Sequence, residues 1–600
     1  MKYHTTIEYN PLQRETAKYV DEDCNLVVMA PTSSGKTIVA EQFIYPALIA
    51  DKKAVYLSPL KALTSEKLRD WDSIPVTKVA ITGDHSSKGQ SVTEKLVLMT
   101  TESLDSKTRG GHAWLYKVGV LVSDESHMLA MDRRGDAFEV GLTRFASINP
   151  DARIIFLSAT IPNAKELGTW LTKLNGKPTH VVETDWRPVT QEHILVKARE
   201  EPWNFLDDVV KQVESARELR PDSQMLVFVH SVATGNSLAK RLHCPFHYSK
   251  VSKPDRDKLE AGFREKKIMT MISTSTLAYG VNLPADVGVI AGAHRGPMNV
   301  DPADIKQMAG RIGRYGLAKE GIVYYVFKRD HADEMWHLLQ NIPEIKSVLP
   351  QRLYFHIVSF IARERKQRDE IEQFLSMTLA AQQTNVLSFV DEAISTLVQY
   401  KALTQGEDGT LAATPLGRAA ALMYVDPIDL FHIKQNLEEK PVTPSAIARA
   451  LVSIPSLEVP THVPDLQEPM QFSYGQQTIL GTCLREWLRG NQLDMIGAVV
   501  IPPFVKDAER WMAALAIAGV NKPYLKSLGI MVANGVQEYL IDLVELRGIG
   551  RKRALDLYHK GIKTKQDILD NHIAKNILGN KTYLNVINQI NPDGKVYFTF

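Results

Sequence analysis

Cysteine is scarce in this 600-residue sequence, and neither sign of charge is in excess. Cys24, Cys244 and Cys483 are far apart and match neither a CxxC pair nor a zinc-ligand spacing, so we expect no disulfide and no zinc site. The 71 basic residues are balanced by 69 acidic ones. This balance argues against a uniformly cationic surface, although charge can still be concentrated locally.

Long apolar runs are absent as well. No segment approaches the roughly 18 consecutive apolar residues needed to span a bilayer. The opening MKYHTTIEYN lacks the apolar stretch of a secretory signal, so we expect a protein inside the cell with no membrane partner. The length and a hydrophobic fraction of 44% predict several domains, at roughly 100 to 200 residues each.

The segment LVVMAPTSSGKTIVAEQFI contains a candidate phosphate-binding loop. The apolar run 26–29 predicts a buried strand, and the residues from Lys36 onward predict an amphipathic helix. In the loop between them, Gly35 exposes backbone amides, Lys36 can reach the β- and γ-phosphates, and the Thr37 hydroxyl can bind Mg²⁺. Ala30 stands where the general pattern has glycine, and an ordinary glycine turn before a helix is the alternative.

A second strand signal, VGVLVSDESH, ends in an acidic pair. Parallel α/β sheets present functional residues at the carboxyl ends of their strands. Asp124 is suited to hold Mg²⁺ through water, and Glu125 to orient and deprotonate a water that attacks the γ-phosphate. The alternative is a solvated acidic turn followed by a structural His127. IIFLSAT, residues 154–160, predicts a third strand of this kind.

A second series of strands and helices follows Trp186-Arg187-Pro188 and contains QMAGRIGR, residues 307–314. The strands predicted at 224–231 and 268–285 have no phosphate-binding loop of their own. Arg311 and Arg314 therefore serve a nucleotide only if they reach across a cleft as arginine fingers, which stabilise charge on a transferring phosphoryl group. A solvated helix face is the alternative for this pair.

The ordered motifs resemble those of the superfamily 2 helicases with a DExH box. The matching segments are APTSSGKT (30–37), SPLKALTSEK (58–67), TTES (100–103), DESH (124–127), SAT (158–160), FVHS (228–231), STSTLAYGVNLPA (273–285) and QMAGRIGR (307–314). WRPV and GVNLPA resemble the Ski-like branch, which includes RNA helicases and the archaeal DNA repair helicases related to animal HelQ. One departure is Ile312, where many relatives have alanine.

The resemblance implies roles for individual residues, with ATP and Mg²⁺ as cofactors. The residues expected at the nucleotide are Gln13 (as an adenine reader), Thr32, Ser33, Ser34, Gly35, Lys36, Thr37 and Gly280. Those expected in catalysis are Lys36, Asp124, Glu125, Gln307, Arg311 and Arg314. Mg²⁺ is expected at Thr37 and Asp124. DNA contacts in the motor are expected from Pro59, Lys61, Thr101, His230 and Thr274.

The C-terminal third favours the HelQ-type branch. TPLGRAAALMYVDP is similar to its winged-helix module, and the helix in PPFVKDAERWMAALAIAG resembles its ratchet helix, with Trp511 at the position that stacks on single-stranded DNA. The alternative for Trp511 is a core aromatic. The family has an arginine where Phe504 stands, which puts a cationic contact at that point in doubt.

A basic helix-hairpin-helix signature closes the chain. Gly548-Ile549-Gly550 lies between two helical patterns, and such a turn exposes amides to a phosphate. We expect DNA contacts from Gly548, Gly550, Arg551 and Arg553. A solvated helix face is the alternative. The exosome-associated RNA helicases lack this module, so DNA is the favoured substrate.

The predicted fold class is α/β plus all-α, with two tandem RecA-like parallel-sheet lobes followed by helical domains. The predicted domains are lobe 1 (1–190), lobe 2 (191–345), a winged helix (346–430), a helical ratchet (431–535) and a helix-hairpin-helix domain (536–600). The interval before QMAGRIGR looks short for the strand-separating β-hairpin of HelQ-type enzymes, so unwinding is expected to be weak.

The expected function is a monomeric, ATP-dependent, 3′ to 5′ single-strand DNA translocase and helicase that acts on forked or branched DNA, with replication or repair proteins as partners. We expect a cytoplasmic, nucleoid-associated protein if the source is prokaryotic or viral, and a nuclear protein if it is eukaryotic. Two alternatives stay open: a Ski-like RNA helicase, and an ATP-gated DNA-binding remodelling factor with little unwinding.

Overall fold

The fold described below is that of a computed structural model of the chain. The structure describes residues 8–58, 61–72, 74–82, 92–131, 134–249, 251–274, 277, 283, 285–295, 298–313, 320–341, 343–438, 483, 486–490, 501, 505, 510–520 and 522–591. These residues form two compact units. The first comprises residues up to 351 together with 374–386, and the second comprises residues 352–373 and 387 onward.

The first unit begins with a seven-stranded parallel sheet, which we call lobe 1 together with its helices. Its strands are β1 Asn25–Met29, β2 Lys53–Leu57, β3 Lys78–Ile81, β4 Leu96–Met99, β5 Val118–Asp124, β6 Arg153–Ser158 and β7 Thr179–Glu183, in the order β3-β4-β2-β5-β6-β1-β7. Its helices are α1 Pro11–Ala17, α2 Lys36–Ile49, α3 Lys61–Asp70, α4 Thr101–Arg109, α5 Gly135–Ile148 and α6 Ala164–Asn175.

The inner strands of this sheet are buried on both faces, which explains their continuous apolar sequences. Along β1 the side chains alternate between two cores: Val27 and Met29 pack into one, and Leu26 and Val28 into the other. Because the strands are parallel, the residues that follow their carboxyl ends lie at one edge of the sheet.

The second sheet, lobe 2 with its helices, has six parallel strands. They are β8 Thr190–Ala198, β9 Met225–Val229, β10 Phe246–His247, β11 Thr270–Ser273, β12 Val287–Ala291 and β15 Glu320–Lys328, in the order β10-β11-β9-β12-β15-β8. A separate two-stranded pair is formed by β13 His294–Arg295 and β14 Met298–Asn299. The helices are α7 Pro202–Leu219, α8 Val232–Leu242, α9 Lys253–Arg264, α10 Pro302–Ala309 and α11 Arg329–Gln340. The two sheets confirm the prediction of two tandem parallel-sheet lobes.

The remaining described residues are mainly helical. The elements are α12 Leu353–Ile361, α13 Arg368–Ser376, α14 Leu379–Gln383, α15 Val390–Gln399, the antiparallel pair β16 Leu403–Gln405 and β17 Leu411–Ala413, α16 Pro415–Met423, α17 Pro427–Glu438, α18 Lys522–Asn534, α19 Ile541–Val544, α20 Arg551–His559, α21 Lys565–Asp570, α22 Ile573–Leu578 and α23 Asn580–Ile590. Residues 510–517 are also helical. Within the described ranges, no helix has the length and apolar character required to cross a membrane.

A buried carboxyl group on α5 joins lobe 1 to two later stretches of the first unit. Glu139 is fully buried and accepts hydrogen bonds from the Ser347 hydroxyl at 2.5 Å and from the Ala380 amide at 2.8 Å. Nearby, Asn163 exchanges two hydrogen bonds with the backbone of Ile345, at 2.9 and 3.0 Å. The chain that leaves lobe 2 is therefore anchored on lobe 1.

Glu139→Gln is expected to remove a pH dependence of stability between about pH 4.5 and pH 7. Burial raises the pKa of Glu139 from 4.5 to about 7, although the bonds from Ser347 and Ala380 oppose the rise. Between these values the folded chain holds a proton that the unfolded chain has lost. The stability from this group is therefore complete below pH 4.5 and is lost as the pH rises through 7, by roughly 3 kcal/mol at about 1.4 kcal/mol per pKa unit.

The measurement is the melting temperature of both proteins across pH 4.5 to 8. The exposed Glu218 on α7 provides the matched control, because Glu218→Gln changes the same chemical group outside any core. An unchanged pH slope in Glu139→Gln would contradict the assignment.

Candidate catalytic site

A cleft of about 310 Å³ in the first unit is lined by side chains from both lobes. Of the residues predicted at the nucleotide or in catalysis, the cleft brings together Thr32, Ser33, Gly35, Lys36, Thr37, Asp124, Glu125, Gln307 and Arg311. Its other lining residues are Leu63, Glu66, Lys67 and Asp70, all on α3. Segments far apart in sequence therefore converge on one volume with the size of a small-ligand site.

The loop between β1 and α2 has the backbone of a phosphate-binding turn. Gly35 is left-handed, with φ 90° and ψ 26°, and immediately precedes the first turn of α2. A Cβ atom at this position would lie 2.4 Å from Nε2 of Gln13, so glycine is required by both conformation and space. Ser33 is also left-handed, with φ 69°. The amides at the start of α2 consequently face the cleft.

Lys36 crosses the inside of this loop. Its ammonium group donates to the carbonyl oxygens of Ala30 at 2.8 Å and Pro31 at 3.2 Å. Burial lowers the pKa of Lys36, and the nearby carboxylates Asp124 and Glu125 oppose that shift. A partly buried cation at a helix N-terminus beside backbone amides is suited to bind phosphate oxygens.

Asp124, the last residue of β5, is held by a tyrosine from the neighbouring strand. The hydroxyl of Tyr56 on β2 donates to Asp124 Oδ2 at 2.5 Å, and the amide of Glu125 donates to Asp124 Oδ1 at 3.1 Å. Burial raises the pKa of Asp124, the charge of Glu125 raises it further, and Lys67 and Lys36 oppose the rise. A bound cation would stabilise the charged carboxylate.

Glu125 has an unusual backbone conformation. Its φ of 54° and ψ of 47° place it in the left-handed region, which is uncommon for a residue with a side chain and recurs at functional sites. Glu125 Oε2 lies 3.4 Å from His127 Nδ1. The same ring nitrogen lies 3.3 Å from the Ser158 hydroxyl, which also accepts from the His127 amide at 3.2 Å. The segment DESH thus touches the segment SAT through His127.

Lobe 2 reaches the cleft through the end of α10. Gln307 and Arg311 are 5% and 7% exposed, and both line the cleft. A Cβ atom on Gly310 would lie 2.6 Å from Cβ of Thr32, so this glycine permits a close approach of the two lobes. The Ser33 hydroxyl donates to the Gly310 carbonyl at 3.2 Å across the same contact.

The segment that enters lobe 2 supports the backbone around Arg311. The Gln191 amide on β8 donates to the carbonyl oxygen of Ala309 at 3.1 Å and to that of Ile312. Ile312 itself is buried in the core of lobe 2 against Gly288, where a Cβ atom would clash with it. The isoleucine therefore has a packing role away from the cleft.

Two predicted nucleotide residues are buried beside the loop. Gln13 is 3% exposed; its Oε1 accepts from the Asn10 amide at 3.1 Å, and its Nε2 donates to the Gly35 carbonyl at 3.3 Å. Ser34 is fully buried, and its carbonyl accepts from the Asn10 side chain at 2.9 Å. Gly280 and Arg314 lie outside the described residues.

The residues predicted to contact DNA in the motor have varied surroundings. Thr101 is the first residue of α4, is 4% exposed and donates to Glu102 at 3.3 Å. His230 follows β9, and its Nε2 lies 2.9 Å from the Gly292 carbonyl. Thr274 follows β11 and is partly exposed. Pro59 lies outside the described residues, and so does the side chain of Lys61.

The turn Gly548-Ile549-Gly550 directly precedes α20. Gly548 has a φ of 103°, and Gly550 directly precedes α20. The Arg553 guanidinium donates to the Gly548 carbonyl at 2.7 Å, and the Arg551 guanidinium lies 5.4 Å from the centroid of the Trp487 ring. The two arginines are thus held beside the turn.

Tyr56 and Lys67 are cleft-associated residues that the motifs did not predict. Lys67 donates to the Thr37 hydroxyl at 3.0 Å. Lys67 is the last residue of SPLKALTSEK, and Tyr56 lies two residues before this segment. Nothing else in the sequence indicated that either residue lies at the cleft. Thr37 and Asp124 offer a hydroxyl and a carboxylate to the same cleft, and oxygen donors of this kind can hold Mg²⁺.

Comparison with known proteins agrees with the motifs. Residues 10–167 match the family model described as DEAD/DEAH box helicase, and residues 201–316 match the model described as helicase conserved C-terminal domain. The chain is 28% identical to the ATP-dependent DNA helicase Hel308 of Methanocella arvoryzae, over 91% of this chain and 87% of that relative. The Hel308 proteins of Caldivirga maquilingensis (28%; 92% and 88% covered) and Thermoplasma volcanium (26%; 93% and 91% covered) are similar over comparable lengths.

Proposed function

We propose that this chain, which is a helicase ATPase with a DEAD/DEAH box domain and a helicase C-terminal domain, is an ATP-dependent DNA helicase of the HelQ type. The observation that carries the proposal is the cleft, in which Lys36 and Glu125 of lobe 1 meet Arg311 of lobe 2. DNA is favoured over RNA because relatives that cover about nine-tenths of the chain are named as DNA helicases.

In this proposal the nucleotide is ATP, and the two lobes share the chemistry. The amides after Gly35 and the Lys36 ammonium bind the phosphates, and Glu125 orients the attacking water and takes its proton. Arg311 stabilises the charge on the transferred phosphoryl group. Mg²⁺, held by Thr37 and Asp124, would neutralise phosphate charge when bound. Because Arg311 comes from lobe 2, closure of the lobes completes the site.

The strand path is proposed from the resemblance. Pro59, Lys61, Thr101, His230 and Thr274 would contact the tracking strand, with 3′ to 5′ movement on forked or branched DNA. The described part of the hairpin between β12 and α10 has strands of only two residues each, β13 and β14. A short hairpin supports the expectation of weak strand separation.

The C-terminal modules are proposed to grip DNA. A winged helix is supported by α12, α15 and α16 with the antiparallel pair β16 and β17. A helix-hairpin-helix phosphate contact is supported by the left-handed Gly548, by Gly550 before α20, and by Arg551 and Arg553 beside them. Lys565, a nearby basic residue, forms a salt bridge with Glu545 at 2.5 Å and is not assigned to this phosphate contact.

The test is ATP hydrolysis with single-stranded DNA, duplex DNA, forked DNA and RNA of the same sequence. Strand displacement is measured on duplexes with either a 3′ or a 5′ single-stranded tail. Stimulation by DNA, with displacement only from the 3′ tail, is expected. Preferential stimulation by RNA would identify an RNA helicase, and DNA-dependent hydrolysis without displacement would identify a remodelling factor.

Trp511→Ala is expected to lower the melting temperature of the chain. The Trp511 side chain is 2% exposed, and its indole nitrogen has no hydrogen-bond partner among the described atoms. Removing a buried tryptophan costs roughly 3 to 5 kcal/mol. Burial thus favours the core role, while stacking on DNA, worth roughly 1 to 3 kcal/mol per base, stays a prediction of the resemblance.

The measurement is a thermal melt paired with ATPase and strand-displacement assays. Loss of displacement with normal hydrolysis and an unchanged melting temperature would instead support the stacking role. Trp511→Phe is the conservative variant, because the phenyl ring retains most of the apolar surface and should recover much of the stability.

A further inference from the structure

Helices α2 and α3 are joined by two side-chain contacts at matching intervals. On α2, Thr37 and Glu41 are four residues apart. On α3 and the residue after it, Lys67 and Trp71 are also four apart. This spacing places each pair on one side of its helix. The Lys67 ammonium donates to the Thr37 hydroxyl at 3.0 Å, and the Trp71 indole nitrogen donates to Glu41 Oε1 at 2.7 Å.

Both contacts are sheltered from solvent. Trp71 is 3% exposed, and the Lys67 side chain is 16% exposed. Each bond has one ionised partner, the Lys67 ammonium in one and the Glu41 carboxylate in the other, and charge-assisted bonds of this kind are roughly twice as strong as neutral ones. Helix α3 therefore cannot shift along α2 without breaking a sheltered, directional bond.

Trp71 also reaches the other side of the site. Its ring meets the buried Tyr56 ring edge-on, with centroids 4.9 Å apart and an interplanar angle of 83°. The Tyr56 hydroxyl in turn donates to Asp124 at 2.5 Å. Lys67 thus contacts Thr37 directly, and Trp71 contacts the tyrosine that holds Asp124. The two residues assigned to Mg²⁺ are both tied to α3.

We propose that Tyr56, Lys67 and Trp71, which we call the α3 brace, are positioning residues that transmit DNA contact at the start of α3 to Thr37 and Asp124. The step from DNA to α3 rests on the proposed function, in which Lys61, the first residue of α3, and Pro59, outside the described residues, are expected DNA contacts. A rigid helix carries a displacement at one end to the other, and shifts of about 1 Å at catalytic groups change rates strongly.

The brace predicts a thermodynamic coupling that a binding experiment can measure. A nucleic acid that moves α3 should change the affinity for nucleotide, and nucleotide should change the affinity for the nucleic acid by the same factor. The probes are a non-hydrolysable ATP analogue and oligodeoxythymidine, at fixed Mg²⁺. Each dissociation constant is measured with and without the other ligand.

Trp71→Phe is expected to reduce this coupling factor about 2- to 30-fold, the range found for residues that connect two sites. The phenyl ring keeps the packing against Tyr56 but cannot donate to Glu41. Glu41→Gln retains an acceptor oxygen for the indole and should keep most of the coupling. The matched control is Trp114→Phe, since Trp114 is a buried tryptophan of the same lobe whose indole nitrogen has no partner among the described atoms.

The outcomes separate the brace from the proposed function. Reduced coupling in Trp71→Phe, with coupling kept in Trp114→Phe, supports the brace. Unreduced coupling in Trp71→Phe overturns the brace. An equal loss of coupling in Trp71→Phe and Trp114→Phe, with equal falls in melting temperature, also overturns it, because such a loss would reflect packing alone. Absence of coupling to DNA in the unmodified protein overturns the proposed function itself.

Discussion

Glu125→Gln is expected to lower the rate of ATP hydrolysis roughly 10²- to 10⁴-fold, the contribution of a general base, with little change in nucleotide affinity. Glu125 lines the cleft together with Lys36 and Thr37, and its backbone is left-handed. Glutamine keeps the size and polarity of the side chain but cannot accept a proton. The substitution therefore removes stabilisation of the transition state without removing a contact to the bound nucleotide in the ground state.

Lys36→Ala provides the contrast for this variant. Lys36 is expected to bind phosphate oxygens in the ground state, so its removal should weaken nucleotide binding as well as hydrolysis. Equilibrium binding of a fluorescent ADP or ATP analogue, measured beside the hydrolysis rate, separates the two effects. Hydrolysis by Glu125→Gln at nearly the unmodified rate would show that another group is the base.

Arg311→Ala is expected to reduce kcat roughly 10³- to 10⁵-fold, as removal of an arginine finger does in other phosphoryl-transfer enzymes. Arg311 is 7% exposed and lines the cleft from lobe 2. Its guanidinium can contact two oxygens of the transferring group at once. Nucleotide affinity should fall much less, because this contact is strongest in the transition state.

Two further arginine variants sharpen the result. Arg311→Lys keeps the charge but loses the planar fork, so it should recover only part of the rate. Arg199→Ala is the control, because Arg199 pairs with Asp208 on the surface of the same lobe. Near-normal turnover of Arg311→Ala would contradict the arginine-finger role. Arg314, outside the described residues, keeps the same prediction on sequence grounds alone.

Much of the candidate site could be predicted because its chemistry is local in sequence. A strand, a turn with Gly35 and a helix that starts at Lys36 form one continuous segment, and the structure has these elements at 25–29 and 36–49. Asp124 and Glu125 follow an apolar run in the same way. In a parallel sheet the carboxyl ends of the strands share an edge, so the two segments were expected to meet.

The supporting contacts were not predictable because they join residues with no pattern between them. Tyr56 holds Asp124 from the adjacent strand, Gln191 supports the backbone on both sides of Arg311, and Glu139 anchors the chain that leaves lobe 2. In sequence these are a tyrosine in an apolar strand, a glutamine near the start of another and a glutamate in a helix. Only strand order and helix packing bring each to its partner.

The two parallel-sheet lobes, the loop before α2 and the acidic end of β5 were predictable from the sequence, since periodicity and motif spacing act over short stretches. The packing of the folded chain, in contrast, gives Arg311 of lobe 2 and Lys36 of lobe 1 a common cleft and buries Trp511. It also decided that α3 is tied to the ligands expected to hold Mg²⁺. These features depend on the strand order, on the close approach of Thr32 to Gly310, and on contacts between side chains of separate elements. Such contacts form only when the elements pack against one another in the folded chain.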